Sequence, residues 1–215
     1  MFNPVLLIMT ILLCVVSYFI GNISPAILIG KAHGIDIKKE GSGNAGTTNV
    51  LRVLGKKAAV GTLIIDIGKG VVAVLLGRIA GKMYATGILG LTDGEAIHIC
   101  VIGVAMFCAL FVLAGHIWPM AFGFRGGKGV ATGFGAITTI HPLIGVCCLG
   151  VVVVVVLLSR RVSVGSICGA ASLPVLAVLY EPIFVPVSAI MAIIVILKHR
   201  SNIQRLLNHQ EPKLF

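Results

Sequence analysis

The chain has 215 residues, 58% of them hydrophobic and only 11% charged, with a mean hydropathy of +1.09. A soluble domain carries about 25% charged residues, so that class is excluded. The net charge of +10 does not call for nucleic acid either, because Lys and Arg gather in the cytoplasmic loops of membrane proteins.

Apolar runs cover roughly residues 4–30, 58–80, 96–115, 129–140, 143–158, 162–180 and 183–199. About 20 such residues cross a bilayer as a helix. The fold class expected is therefore an all-α polytopic membrane protein, a single membrane-embedded domain over residues 1–215. The N-terminal run lacks the basic flank and cleavage site of a signal peptide and is read as a retained first span. The run 129–140 is short, since twelve residues rise only about 18 Å. His141-Pro142 then reads either as a turn between two spans or as a kink inside one.

Charge selects the span count. With seven spans and the N-terminus outside, the cytoplasmic side receives loop 31–57, loop 116–128, the 159–162 turn and the tail 198–215. Fourteen of the seventeen Lys and Arg residues then lie inside, as orientation by basic residues requires. Arg78 and Lys82 face out, and Lys69 lies within a span. Six spans would move Arg160, Arg161 and the basic tail across the membrane and destroy the bias. The C-terminus is accordingly cytoplasmic, and all polar, glycine-rich loops share one face.

The first of these loops reads "KKEGSGNAGTTNVLR". Gly41, Gly43 and Gly46 allow positive φ, and successive N–H groups can then form an anion-binding nest. Ser42, Asn44, Thr48 and Asn49 add donors, and Arg52 adds a phosphate fork. The alternative is a flexible connector. The second loop, "GHIWPMAFGFRGGKGVAT", places Gly126-Gly127-Lys128-Gly129 before a short helix beginning near Val130, an arrangement that attracts phosphate. It is not a Walker A loop, because Phe122 and Gly129 stand where that motif needs Gly and Ser/Thr. His116 reads as either an interfacial helix end or a functional group.

Asp66 and Lys69, at i and i+3 in the second run, share a helix face. Ionisable groups at such depth suggest function; they either neutralise each other or let Lys69 face a loop-bound anion. Ser163 and Ser166 open the sixth run, where small residues usually serve helix packing. His199, Asn202 and Arg205 share one face at the end of the chain, either as a lipid-headgroup anchor or as ligand contacts. The six cysteines show neither C-x-x-C spacing nor a Cys/His cluster, so no metal site or disulfide framework is indicated.

The segments "GSGNAGTTNVLRVLGKKAAV…DIGKG", "LAGHIWPMAFGFRGGKGVATGFGA" and "HRSNIQRL…QEPK" resemble, in order and along nearly the whole chain, the three cytoplasmic motifs of the bacterial acyl-phosphate:glycerol-3-phosphate acyltransferases, the PlsY family. Thr47 stands where the family usually has Ala, and Asn22 where Ser is usual. The resemblance implies a seven-helix fold in the bacterial inner membrane. It implies transfer of a fatty acyl group from acyl phosphate to the 1-hydroxyl of glycerol 3-phosphate, giving lysophosphatidic acid without cofactor or metal. Its partners would be the two substrates and membrane lipid, with no nucleic acid, and the oligomeric state is left open, a monomer being one expectation.

By the same resemblance, Ser42, Asn44, Arg52, Lys128, Ser166, His199 and Asn202 match the family's ligand residues. Ser42, Arg52, Lys128 and His199 are the catalytic candidates. Gly41, Gly43, Thr48, Asn49, Lys69 and Gly127 join Asn44, Ser166 and Asn202 as substrate-binding candidates. Asp66 and His116 are left as proton-transfer or structural groups, with proton removal by a substrate phosphate as the favoured route.

Two rivals fit less well. A transporter for organic phosphates would want a midplane site and repeated halves, and no internal repeat is evident. A soluble-type acyltransferase would carry a His-x4-Asp pair, which none of the histidines at 33, 98, 116, 141, 199 and 209 begins.

Overall fold

A computed structural model describes residues 4–214 of the chain, and every regular element among them is helical. The chain divides into two compact units, the first through Ile140 and the second from His141. The first contains α1 (Pro4–Asn22), α2 (Pro25–Ala32), α3 (Thr47–Leu54), α4 (Lys56–Met83), α5 (Gly94–Ile117) and α6 (Val130–Ile140), with a π turn at Tyr84–Ile88. The second contains α7 (Pro142–Ser159), α8 (Val162–Tyr180), α9 (Val185–Lys198) and α10 (Arg200–Leu207).

Five helical stretches are long and apolar enough to cross a membrane, the α1–α2 pair counting as one. A sixth arises if Pro182–Lys198 and Arg200–Leu207, bent by 53°, form one span. Large apolar side chains such as Leu12, Ile64, Val154, Leu158 and Leu179 point outward from these helices, as surfaces bathed in lipid do.

Prolines set the helix breaks. Residues before Pro disfavour the α region, and both Ser24 (φ −108°, ψ 91°) and His141 (φ −145°, ψ 106°) are extended. The first apolar run is therefore broken into α1 and α2, and residues 129–158 form two helices. α6, at 11 residues, rises only about 17 Å. It crosses α4 through glycines: a Cβ on Gly70 would strike the Thr132 carbonyl, and one on Gly135 the Ile67 carbonyl. Small residues at such crossings let backbones approach closely.

The polar loop between α2 and α3 is anchored by a small core of its own. Ala26, Ile27, Ile37, Ala45, Val50 and Ala59 bury one another, with Leu51, Val53, Leu54 and Phe122 packed alongside. α3 itself lies inside a stretch that composition marks as loop. Its apolar positions 50, 53 and 54 fall on one helix face, and that pattern is the signal for it.

Candidate active site

The GSGNAG loop is organised by Asn49, which is 1% exposed. Its Oδ1 accepts from the Ser42 N–H (2.8 Å) and the Ser42 hydroxyl (3.1 Å). Its Nδ2 donates to the carbonyls of Ile37 (3.1 Å) and Glu40 (3.0 Å). The amide is thus fully used within the protein, and Asn49 shapes the loop instead of offering donors outward. Gly41 (φ 58°) must be glycine here, since a Cβ would also collide with Asn49 Oδ1. Ser42 and Gly43 are exposed, while Asn44 and Thr48 are half-buried. Arg52 sits on α3, exposed, with no protein partner among the described residues.

The second loop folds back on the end of α5. Gly126 N–H donates to the Ile117 carbonyl (3.1 Å) and Gly127 N–H to the His116 carbonyl (3.2 Å), so the Gly127 amide is engaged by protein. A Cβ on Gly127 would collide with His116 Nε2 and lie 2.8 Å from the Ala45 carbonyl oxygen. Gly127 is therefore where the two glycine-rich loops meet, backbone against backbone. Lys128, the next residue, is half-buried.

Two contacts absent from the sequence reading reinforce that meeting. The Lys38 ammonium donates to the Phe122 carbonyl (2.6 Å), and Lys31 and Lys38 lie 5.7 and 6.0 Å from the centre of the Phe122 ring. Burial holds the Lys38 ammonium below its ordinary value; Asp36 opposes this, and the nearby Arg125 and Lys31 charges add to it. Such mutual repulsion among cations marks a positive field that an anion would relieve. Asn22 also ties the loop down, its Oδ1 accepting from Ala121 N–H (3.3 Å).

Beneath the loops lies a buried cluster of Asp66, Lys69 and His116, which are 2%, 4% and 5% exposed. The Lys69 ammonium contacts Asp66 Oδ1 (2.8 Å), the carbonyls of Gly21 (3.2 Å) and Ile23 (2.7 Å), and His116 Nδ1 (2.8 Å). Carbonyls at a helix end lack intrahelical partners, and Lys69 supplies donors at the α1–α2 break. It pairs with Asp66 as the i, i+3 spacing suggested, and protein acceptors surround its ammonium.

The second unit carries Ser166, His199 and Asn202, all buried. The Ser166 hydroxyl donates to the Val162 carbonyl (2.9 Å) and remains an acceptor. His199 Nδ1 lies 2.7 Å from the Val195 carbonyl, which fixes the proton on Nδ1 and makes Nε2 the acceptor nitrogen of the neutral ring. Asn202 Nδ2 donates to Glu211 Oε1 (2.7 Å), which also accepts from the Ser163 hydroxyl (2.7 Å); Arg205 Nε reaches Glu211 Oε2 (2.7 Å). Burial pushes the Glu211 carboxyl up, but hydrogen bonds from Ser163, Asn202 and Arg205, with the Arg205 charge, hold it below its ordinary value. Glu211 organises this motif, and only its place in "QEPK" beside a basic stretch hints at that.

The chain matches the family model described as glycerol-3-phosphate acyltransferase over residues 11–209. It is 42% identical over 206 residues to the glycerol-3-phosphate acyltransferase of Clostridioides difficile (strain 630), covering 95% of each chain. To the protein of that description in Geobacter sulfurreducens it is 38% identical, over 91% of this chain and 93% of that one. A solved structure of PlsY, an integral membrane glycerol 3-phosphate acyltransferase in its glycerol 3-phosphate form, is similar at a TM-score of 0.80 and 31% identity. That match covers 95% of this chain and 94% of the other. The lysophosphatidic acid form of PlsY aligns with a TM-score of 0.77.

Proposed function

The chain belongs to the glycerol-3-phosphate acyltransferase family, and on that premise we propose that it moves a fatty acyl group from an acyl phosphate to the 1-hydroxyl of glycerol 3-phosphate. The observation that carries this reading is the meeting of the two glycine-rich loops at Gly127 and Ala45, which brings the segments bearing Arg52 and Lys128 together in one unit. Both substrates carry phosphate, and a site for both needs more than one cationic arm. Arg52, exposed and without a protein partner among the described residues, suits bidentate capture of one phosphate; Lys128, beside the loop junction, suits the other.

An acyl phosphate is a mixed anhydride with a good leaving group. Positioning and charge stabilisation therefore supply most of the acceleration, and no metal is required by the scheme. The glycerol oxygen forms a bond to the acyl carbon, the bond from that carbon to the phosphate oxygen breaks, and the hydroxyl proton passes to the departing phosphate. The products are lysophosphatidic acid and inorganic phosphate. Ser42, Asn44 and Thr48 line the first loop as phosphate donors. Ser166, His199 and Asn202 are assigned as further substrate contacts by their match to the family motifs. Asn49, Lys69, Glu211 and the Gly127 amide, engaged by protein, hold the architecture.

The chain is further proposed to lie in a bacterial cytoplasmic membrane with seven helical segments, α6 being the short one. The N-terminus is outside, and the loops 31–57, 116–128, 159–162 and 198–215 are cytoplasmic, as the distribution of basic residues favours.

The test is incubation of purified protein with palmitoyl phosphate and labelled glycerol 3-phosphate, with palmitoyl-CoA as control donor. Labelled lysophosphatidate is expected from the phosphate donor. Its absence, or its formation from the thioester alone, would overturn the reading.

A further inference from the structure

Asp66, Lys69 and His116 form a sealed triad directly under the junction of the two glycine-rich loops, and the distances within it decide where the histidine proton sits. His116 Nδ1 is 2.8 Å from the Lys69 ammonium and 3.3 Å from Asp66 Oδ1. An ammonium has three protons and accepts nothing. Two of those on Lys69 go to the carbonyls of Gly21 and Ile23, and the Asp66 carboxylate stands beside the ammonium as its ion-pair partner, so the charged form is favoured and one proton is left to donate. A proton on His116 Nδ1 would set two donors against each other at 2.8 Å. With a bare Nδ1, the ammonium donates to it and the ring proton resides on Nε2.

The other end of the ring faces the loop junction. A Cβ on Gly127 would meet His116 Nε2 and Cε1 on one side and the Ala45 carbonyl on the other. The backbone carbonyl of His116 also accepts the Gly127 N–H. The residue thus holds the second loop through its main chain and aims an N–H donor at the seam through its ring.

We propose that His116 is a positioning residue, fixed by Lys69 as its Nε2–H tautomer so that it clamps the GGKG loop against the GSGNAG loop and takes no proton from the attacking hydroxyl. The consequence for the reaction rests on the acyltransferase reading; the tautomer itself does not. His199 is the internal contrast, since its Nδ1 faces a carbonyl 2.7 Å away, which places the proton on the opposite nitrogen. Two buried histidines are thereby set in opposite states, and only His199 presents an accepting nitrogen at its outer end.

The decisive measurement is the imidazole 15N spectrum of histidine-labelled protein in lipid nanodiscs, with His116→Gln supplying the assignment. A bare Nδ1 and a protonated Nε2 on His116 are expected; a proton on Nδ1, or on both nitrogens, would overturn the proposal. Kinetics give a second readout. His116→Gln, whose side chain keeps an N–H donor, should hold kcat within about threefold and leave the shape of the pH–rate profile unchanged. His116→Phe should raise the KM for a phosphate substrate by roughly two- to tenfold, the range of one lost hydrogen bond. A general base would instead show a fall in kcat on the order of 10²-fold or more in both variants, with KM unmoved, and that result would reject a positioning role. The spectrum is read in the resting protein, so a chain without acyltransferase activity would sink the functional reading and leave the tautomer measurable.

Discussion

Asp66 in the first unit and Glu211 in the second are both buried among polar partners, and they are held there in opposite ways. Asp66 is held inside α4 by Lys69, one turn along the same helix, and by His116. Glu211 lies in the tail beyond α10 and collects Ser163, Asn202 and Arg205 from as far as 48 residues away in sequence. The first acid completes a site that local spacing had already half assembled. The second joins pieces that lie apart in the sequence. A buried acid can therefore finish a local motif or create one, and substitution separates the two.

The largest effect is expected at the sealed pair. Asp66→Ala leaves the Lys69 ammonium uncompensated and should cost about 3–5 kcal/mol, read as a drop in the detergent-solubilised unfolding midpoint. Asp66→Leu combined with Lys69→Met should recover part of that loss. If the single and double variants are equally damaged, the carboxylate is not acting as the partner of Lys69.

Arg52, which neither acid touches, sharpens the contrast. Arg52→Ala should lower kcat/KM by about 10²–10³, or roughly 2.7–4 kcal/mol of transition-state stabilisation, with the unfolding midpoint unmoved. A stability loss comparable to that of Asp66→Ala would mean that Arg52 is structural after all.

Glu211→Gln comes next, at about 1–3 kcal/mol, because an amide NH2 group or a poorer acceptor then meets buried donors. Its pH dependence has a definite sign. The folded carboxyl is held below its ordinary value of 4.5, so the stabilisation is complete above that pH and is lost as pH falls through the lower, folded value. Glu211→Gln should flatten the acid side of a stability–pH curve. Arg205→Ala should have the smallest effect, under about 1 kcal/mol, because Arg205 is 32% exposed and water screens the pair. A larger loss there would make Arg205, and not the hydrogen bonds from Ser163 and Asn202, the main support of Glu211.

What the sequence disclosed follows from how far each signal reaches. The spans of α4 and α5 were legible within a few residues from hydropathy, and the Asp66–Lys69 pair from its spacing of three. The two polar loops announced themselves through glycines at 41, 43, 126 and 127. Less legible was the use to which each polar group is put. Asn49 reads as a phosphate donor, yet it spends its amide on Ser42, Ile37 and Glu40, because a buried amide must satisfy donors and acceptors wherever the fold provides them. The break at Ser24 was signalled by Pro25 but hidden by unbroken hydropathy on both sides. The Lys38–Phe122 and Glu211 contacts span 84 and up to 48 residues, distances over which periodicity carries no information.

Arg78 ends up with an unexpected occupation. Its guanidinium Nη1 donates to the carbonyls of Thr139 (2.7 Å) and Ile140 (2.9 Å), closing the C-terminus of a helix too short to traverse lipid alone and placing positive charge at the negative end of its dipole. An arginine engaged in this way is no longer a free topological signal, so a tally of cations that assigns it to the outer leaflet overstates what stands against the inward bias. Neutralising Arg78 should fray the terminus of α6 and leave the direction of membrane insertion as it was.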